Sequence, residues 1–135
     1  MDDKKTDLLD QLFERYSVHP ECAEEIRTLV ISSGNEKRFL NTFTKNTLYL
    51  TQFGHDVILY SRNFEKLKNA KDLYSMKLKI PQLNLRIVYT YKKDKLAILL
   101  VGFCERSDSK ETYDKYIPVA YKRMKEMEEK EWRII

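Results

Sequence analysis

The chain has 135 residues, of which 42% are hydrophobic and 34% are charged, a balance typical of a compact globular protein. That length suits a single core, so residues 1–135 are predicted to form one domain. No run approaches the roughly 18 apolar residues of a membrane helix, and the polar start is unlike a secretory signal. A cytoplasmic location without a membrane partner is therefore expected. Cys22 and Cys104 match no zinc or redox spacing, so no metal and no cofactor is expected.

Positive charge is concentrated in one block of the chain. Residues 62–95 contain ten basic and three acidic side chains. Residues 1–61 contain seven basic and ten acidic side chains, and residues 96–135 contain eight of each sign. Such a block suits a polyanion such as RNA, because each contacted phosphate releases counterions. On charge alone, a lysine-rich surface that only favours solubility explains the block slightly better.

Three helices are predicted before this block. Apolar residues at one-face spacing predict an amphipathic helix over Lys4–Ser17. Proline at a first helical position predicts a second helix over Pro20–Ile31. A third is predicted over Glu36–Gln52, with Gly54 ending it. Both histidines lie at helix ends, where a capping or surface role is the default.

Three strands follow, and then a last helix. Residues 72–80 alternate between polar and apolar side chains, which predicts a half-buried strand. Leu85–Tyr91 is the second strand and Leu96–Phe103 an apolar third one. Pro118 is predicted to begin the last helix, because a proline inside a helix costs about 3 kcal/mol. The expected fold class is α+β: a small twisted antiparallel meander, with N-terminal helices packed on one face and a C-terminal helix.

The predicted sheet separates its cations by alternation. Arg86 shares a face with Val88 and Thr90, and Lys77 and Lys79 share a face of the preceding strand. If pairing brings Arg86 beside the two lysines, the sheet carries a cationic groove. Because like charges across strands repel, such a groove indicates either a bound anion or separation by solvent.

Cations of this kind fit metal-independent cleavage of RNA. The reaction must remove the 2′-hydroxyl proton, neutralise the charge that develops on phosphorus and protonate the leaving 5′-oxygen. Arginine and lysine supply the electrostatic stabilisation. A lysine with a lowered pKa or a tyrosine can transfer the protons, so histidine is not required.

Several segments in order resemble the RelE/HigB-type toxins of bacterial type II toxin–antitoxin modules. They are "FEKLKNAKDLYSMKLK", "LRIVYTYKKDKLAILLVGF", and "ERS" followed by "AYKRMKEM". The resemblance covers about residues 36–126 and implies a twisted sheet with two helices on one side. It also implies a ribosome-dependent mRNA endoribonuclease that inhibits translation. The implied partners are the ribosome, mRNA and a cognate antitoxin. An acidic segment of that antitoxin is expected to cover the basic residues 62–95 of this chain.

The resemblance assigns roles to particular residues. Arg86 matches an arginine that contacts the scissile phosphate, and Lys77 is similar to a lysine of the preceding strand. Arg106 matches the arginine of the "E-R-S" exit, and Tyr113 a tyrosine of the final segment. These four are the predicted catalytic residues. The cations predicted to bind RNA around them are Lys79, Lys92, Lys93, Lys95, Lys66 and Lys68.

Two departures from the family pattern leave alternatives open. Cys104 stands where RelE has a catalytic arginine, so either Arg106 reaches the same face or the activity is weakened. The family's first strand precedes its helices, so either "FERYSV" is that strand or residues 1–35 form a helical extension before a core of residues 36–127. The apolar spacing favours the extension.

Two other functions fit the sequence. The first is a non-catalytic or ParE-like toxin, in which the same fold binds a protein target such as gyrase. The second is a small structural domain whose lysines only aid solubility.

Overall fold

The structure, a computed structural model, describes Leu9, Gln11, Phe13 and residues 16–93, 96–105 and 110–134. The helices and strands, in chain order, are β1 (Ser17–Val18), α1 (Pro20–Ser33), α2 (Glu36–Phe53), a 3-10 helix (Gly54–Asp56), α3 (Val57–Tyr60), β2 (Phe64–Lys66), β3 (Tyr74–Ile80), β4 (Leu83–Lys93), β5 (Leu96–Cys104) and α4 (Lys110–Ile134). The predicted α+β class is confirmed, with helices before the sheet and a helix after it.

The strands form one five-stranded sheet in the order β1-β5-β4-β3-β2. The predicted antiparallel meander is confirmed as β3, β4 and β5. Two short strands extend it: β2, which was not predicted, pairs antiparallel with β3, and β1, which lies within the alternative strand "FERYSV", pairs parallel with β5. The turn between β3 and β4 is tighter than predicted, because β4 already begins at Leu83.

The helices α1 and α2 begin and end where the sequence predicts, within two residues, whereas the 3-10 helix and α3 were not predicted. His19 caps α1, since its Nδ1 accepts a hydrogen bond from the Glu21 amide at 3.1 Å, and Pro20 follows at the first helical position. Gly34 ends α1 in the left-handed region with φ 72°, where glycine carries no Cβ penalty. Gly54 ends α2, as predicted.

The predicted helix over Lys4–Ser17 lies mostly outside the described residues. Of those described, Leu9, Gln11 and Phe13 are helical, while Ser17 already belongs to β1. In the described part of this segment, helical residues precede a very short strand, and the choice between the two alternatives for residues 1–35 stays a prediction.

The sheet separates two hydrophobic clusters. The larger cluster joins α1 and α2 to one face, and includes Ile26, Phe39, Phe43, Met76, Leu78 and Ile87. The smaller cluster packs α4 on the other face, and includes Val88, Val101, Phe103 and Ala120. Gly102 permits the close approach of α1, because a Cβ there would lie 2.7 Å from Cγ1 of Ile26.

The last helix begins earlier than predicted. It starts at Lys110, so Pro118 lies inside α4 and not at its first position. Packing offsets the cost of the proline: the Tyr116 ring stacks on Phe103 at 4.2 Å, and Tyr113 meets Phe103 edge-on at 5.6 Å. Neither α4 nor any other helix in the described part of the chain is long and apolar enough to cross a membrane.

A buried ion pair closes the edge of β5 beyond β1. Arg123 of α4 stands in a charged stretch of sequence typical of a water-facing helix surface, but it is buried and pairs with both carboxylate oxygens of Glu25 of α1 at 2.8 Å. Each partner also bonds the edge backbone: Glu25 accepts from the Gly102 amide at 3.1 Å, and Arg123 donates to the Leu100 carbonyl at 3.0 Å. The hydrogen bond to Glu25 raises the pKa of Arg123. We call Glu25 and Arg123 the edge pair.

Candidate functional site

The register of β3 and β4 brings the two central cations together. Lys77 lies directly opposite Arg86, and Lys79 lies opposite Asn84. Paired residues of antiparallel strands point to the same face, so the predicted juxtaposition of Arg86 with the lysine row is confirmed. It lies on the face that α4 covers, since Val88 and Phe103 share that face and pack against α4.

The expected open groove is not present at Arg86. Its residue is only 2% exposed, and its Nη1 donates to Oδ1 of Asn84 at 2.6 Å. Lys77 remains partly accessible, with 25% of its side chain exposed, and its Nζ lies 3.7 Å from Oε1 of Glu65. Solvent therefore reaches the Lys77 side chain, whereas the Arg86 side chain lies beneath the surface.

Tyr113 brings a hydroxyl to the same place. Its O–H donates to Oε1 of Glu65 at 3.4 Å, so it accepts from the Ser75 hydroxyl, which lies 2.9 Å away. Burial raises the pKa of Tyr113, while the Ser75 hydrogen bond and the charge of Arg86 partly offset the rise. The raised pKa makes the Tyr113 hydroxyl a weaker acid, so it stays protonated at neutral pH and can give its proton only to a strongly basic group such as an alkoxide.

Of the predicted RNA-binding lysines that the structure describes, Lys79 lies beside Lys77, whereas Lys92, Lys66 and Lys68 lie elsewhere. Lys79 is exposed and shares the face of Lys77. Lys92 is exposed but lies six residues further along β4 than Arg86, or about 20 Å at 3.3 Å per residue. Lys66 pairs with Tyr74 and so points to the opposite face, and Lys68 is exposed in the following loop. The side chains of Lys93, Lys95 and Arg106 lie outside the described residues.

A family model for phage-derived Gp49-like proteins (DUF891) matches residues 34–125. That segment contains β2 to β5 and every described residue of the site.

The chain belongs to the phage-derived Gp49-like family.

It is a toxin-like family of toxin–antitoxin modules, and membership implies an antitoxin partner. No curated protein and no solved structure matches the chain significantly. The helix α1 precedes the Gp49-like segment, yet it supplies Glu25 of the edge pair.

In this Gp49-like protein, the position of Cys104 in the sheet shows what its replacement of an arginine changes. Cys104 pairs with Leu85 and packs against the α1 and α2 cluster, so it faces away from Arg86 and Lys77. The side chain of an arginine at position 104 would leave the backbone on the sheet face opposite to Lys77. The presence of cysteine therefore removes no cation from the Lys77 side.

Sequence reasoning missed the polar residues around the cations. Glu65 lies in β2, whose three residues are too short for an alternation signal. Ser75 shares the alternation that places Lys77 on this face of the sheet, but no role was predicted for it. Glu105 is buried and accepts from the Thr112 hydroxyl at 3.2 Å, while its amide bonds the Asn84 carbonyl at 2.7 Å. The "E-R-S" motif pointed to this region, although only its arginine was singled out.

Metal chemistry finds no ready ligand set in the described part of the chain. No group of three histidine, cysteine, aspartate or glutamate side chains converges there.

Proposed function

We propose that this Gp49-like protein is the toxin of a type II toxin–antitoxin module and cleaves mRNA on the ribosome, as RelE/HigB-like toxins do. The observation that carries the proposal is the pairing of Lys77 with Arg86 beside the Tyr113 hydroxyl. Two cations and a proton donor on one sheet face are the groups that phosphodiester cleavage requires.

Each group has a distinct role in the proposed reaction. Lys77 contacts the scissile phosphate from the solvent side, and the buried Arg86 adds positive charge from below. Tyr113 protonates the leaving 5′-oxygen, because its hydroxyl carries a proton at neutral pH and the leaving alkoxide is a far stronger base than a phenolate. Glu65, whose carboxylate lies 3.7 Å from the Lys77 ammonium and accepts from the Tyr113 hydroxyl, takes the 2′-hydroxyl proton. Direct contact between Arg86 and a phosphate requires the side chains above it, including Tyr113, to move aside.

Lys79 extends the same cationic surface along the RNA backbone. Its side chain is exposed and lies two residues from Lys77 on the same face. Contacts of this kind position the RNA and weaken as salt concentration rises. Lys92 lies too far away to touch the same phosphate, so its contribution is to general attraction of RNA or ribosome.

Primer extension on cellular mRNA after induction tests the proposal. Wild-type protein should create new 5′ ends in phase with codons, and Tyr113→Phe should reduce them about 100-fold, a typical loss for a proton-transfer group. Lys77→Met should reduce them at least as much. Lys122→Met, which removes an exposed lysine of α4, is the matched control and should cleave like the wild type. Cleavage that is unchanged in both site variants would refute the proposal.

The ParE-like alternative has one observation in its favour. Arg86 is buried and bonded to Asn84, which is also what a purely structural arginine would show. Under that alternative, induction arrests growth without new 5′ ends, and the arrest survives Tyr113→Phe. A growth assay run beside the primer extension therefore separates the two functions.

A further inference from the structure

Apolar side chains are exposed where α2 ends and α3 begins. Leu59 is 73% exposed, Tyr60 67% and Leu48 63%. The Phe53 ring links the two helices, because it stacks on Tyr49 at 6.3 Å and lies 4.6 Å from Tyr60. We call this surface the apolar patch; its members are Leu48, Tyr49, Phe53, Ile58, Leu59 and Tyr60.

The exposed members of the apolar patch contribute little to the core, although Phe53 packs partly against it. Single exposed apolar residues are ordinary, but several within one short segment, residues 48–60, indicate an interaction site. Leu59 in particular keeps most of its side chain in water, so it adds little to the core. The patch lies on α2 and α3, and α2 packs on the sheet face opposite Lys77. It is therefore separate from the candidate catalytic site.

The composition of the apolar patch favours a protein over RNA. Three of its six members are aliphatic, and nucleic-acid bases stack on aromatic rings. A protein helix, in contrast, buries leucine, isoleucine and aromatic side chains together in one groove. Two aromatic rings in contact with a third also provide the large, rigid surfaces that dominate binding between proteins.

The surrounding charge indicates which protein surface fits. Residues 37–71 contain seven basic and two acidic side chains. Lys45, one turn before Tyr49, and Arg62, two residues after Tyr60, are both exposed. A second copy of the chain would bring these cations against one another, whereas an acidic partner would pair with them.

We propose that the apolar patch is the docking surface for an acidic amphipathic helix of a protein partner. The helix places apolar side chains on the Phe53 ring and its neighbours, and aspartate or glutamate toward Lys45 and Arg62. The identification of this partner as the antitoxin rests on the proposed function; the location of the surface does not. Because the sheet lies between them, a helix bound here leaves Lys77 uncovered.

Two substitutions at one exposed position test the docking surface. The probe is the protein encoded directly beside this chain, co-expressed and purified with it. Leu59→Glu and Leu59→Lys both remove the apolar contact, but only glutamate repels an acidic helix. We expect about 100-fold weaker binding for Leu59→Glu and about tenfold for Leu59→Lys, measured by calorimetry. Lys122→Glu on α4 is the charge control and should bind like the wild type.

Other outcomes of this experiment overturn the proposal. Equal affinity for the two Leu59 variants, or no binding of the adjacent gene product, contradicts an acidic partner on this surface. Hydrogen exchange that shows protection at residues 75–86 and not at 48–62 places the partner on the other face. Weaker binding of a single-stranded RNA by Leu59→Glu, with partner affinity intact, assigns the patch to nucleic acid instead.

Cleavage measured without the partner distinguishes the two proposals. Leu59→Glu should cleave mRNA like the wild type, because Leu59 lies away from Lys77. Lys77→Met should lose cleavage but keep its affinity for the partner. Loss of cleavage alone therefore bears on the proposed function, and loss of partner affinity alone bears on the apolar patch.

Discussion

Removing the carboxylate of the edge pair should destabilise the protein strongly. Glu25→Ala leaves the buried Arg123 guanidinium without its bidentate partner and the Gly102 amide without an acceptor. Breaking a buried pair costs about 3–5 kcal/mol. Because Glu25 keeps 32% of its side chain exposed and Glu21 stays 3.1 Å from Arg123, we expect about 2–3 kcal/mol. For a chain of this size that lowers Tm by about 8–12 °C.

Thermal and urea denaturation followed by circular dichroism measure this loss. Glu24→Ala is the matched control, because Glu24 is the preceding residue and makes only an exposed pair with Arg27; it should cost less than about 1 kcal/mol. Equal costs for the two variants would refute the reasoning. In Glu25→Ala/Arg123→Met the stranded charge is gone, so the double variant should be more stable than Glu25→Ala alone. If it is not, the penalty does not come from a buried unpaired charge.

Three further predictions concern packing, thiols and tyrosines. Gly102→Ala should cost about 1–3 kcal/mol in urea denaturation, since its Cβ would press on Ile26; a wild-type midpoint would contradict the close contact. Burial raises the pKa of Cys22, so a thiol reagent should label the half-buried Cys104 first, and rapid labelling in Cys104→Ser would contradict this. Burial and the hydrogen bond that Tyr89 donates to the Tyr91 hydroxyl raise the pKa of Tyr89. The stability that this shift contributes is therefore complete below the ordinary tyrosine pKa near 10 and is lost as pH rises beyond it. Absorbance at high pH should show Tyr89 ionising only on unfolding, and reversible ionisation of every tyrosine in the folded state would argue against it.

The sheet was predictable because its strands carry a strong local signal. Residues 73–80 alternate without interruption, and β5 is almost wholly apolar, as a strand covered on both faces must be. The helices α1 and α2 were equally well marked by Pro20, Gly34 and Gly54. In each case, the residues that define the element lie next to one another in the chain.

What the sequence did not reveal depends on contacts between distant elements. The first turns of α4 are held by Phe103, so Pro118 alone suggested the wrong start. Arg123 has the sequence context of a solvated helix face, and only Glu25, 98 residues away, makes it a buried residue. Alternation along β4 placed Arg86 on the correct face. Its burial depends on α4, which covers that face and lies outside the strand's own sequence.

The edge pair also determines how the sheet meets other molecules. β1 pairs only with Ile98 and Leu99 of β5, so the next backbone groups of that strand would otherwise be open to a foreign strand. Natural proteins cover such borders because an unpaired strand recruits others and leads to aggregation. Here the edge pair occupies those backbone groups: Glu25, from a helix before the Gp49-like segment, accepts from the Gly102 amide, and Arg123, from the last helix, donates to the Leu100 carbonyl. A Gp49-like fragment without α1 lacks Glu25, so the Gly102 amide at this strand border loses its acceptor and is open to pairing with another copy.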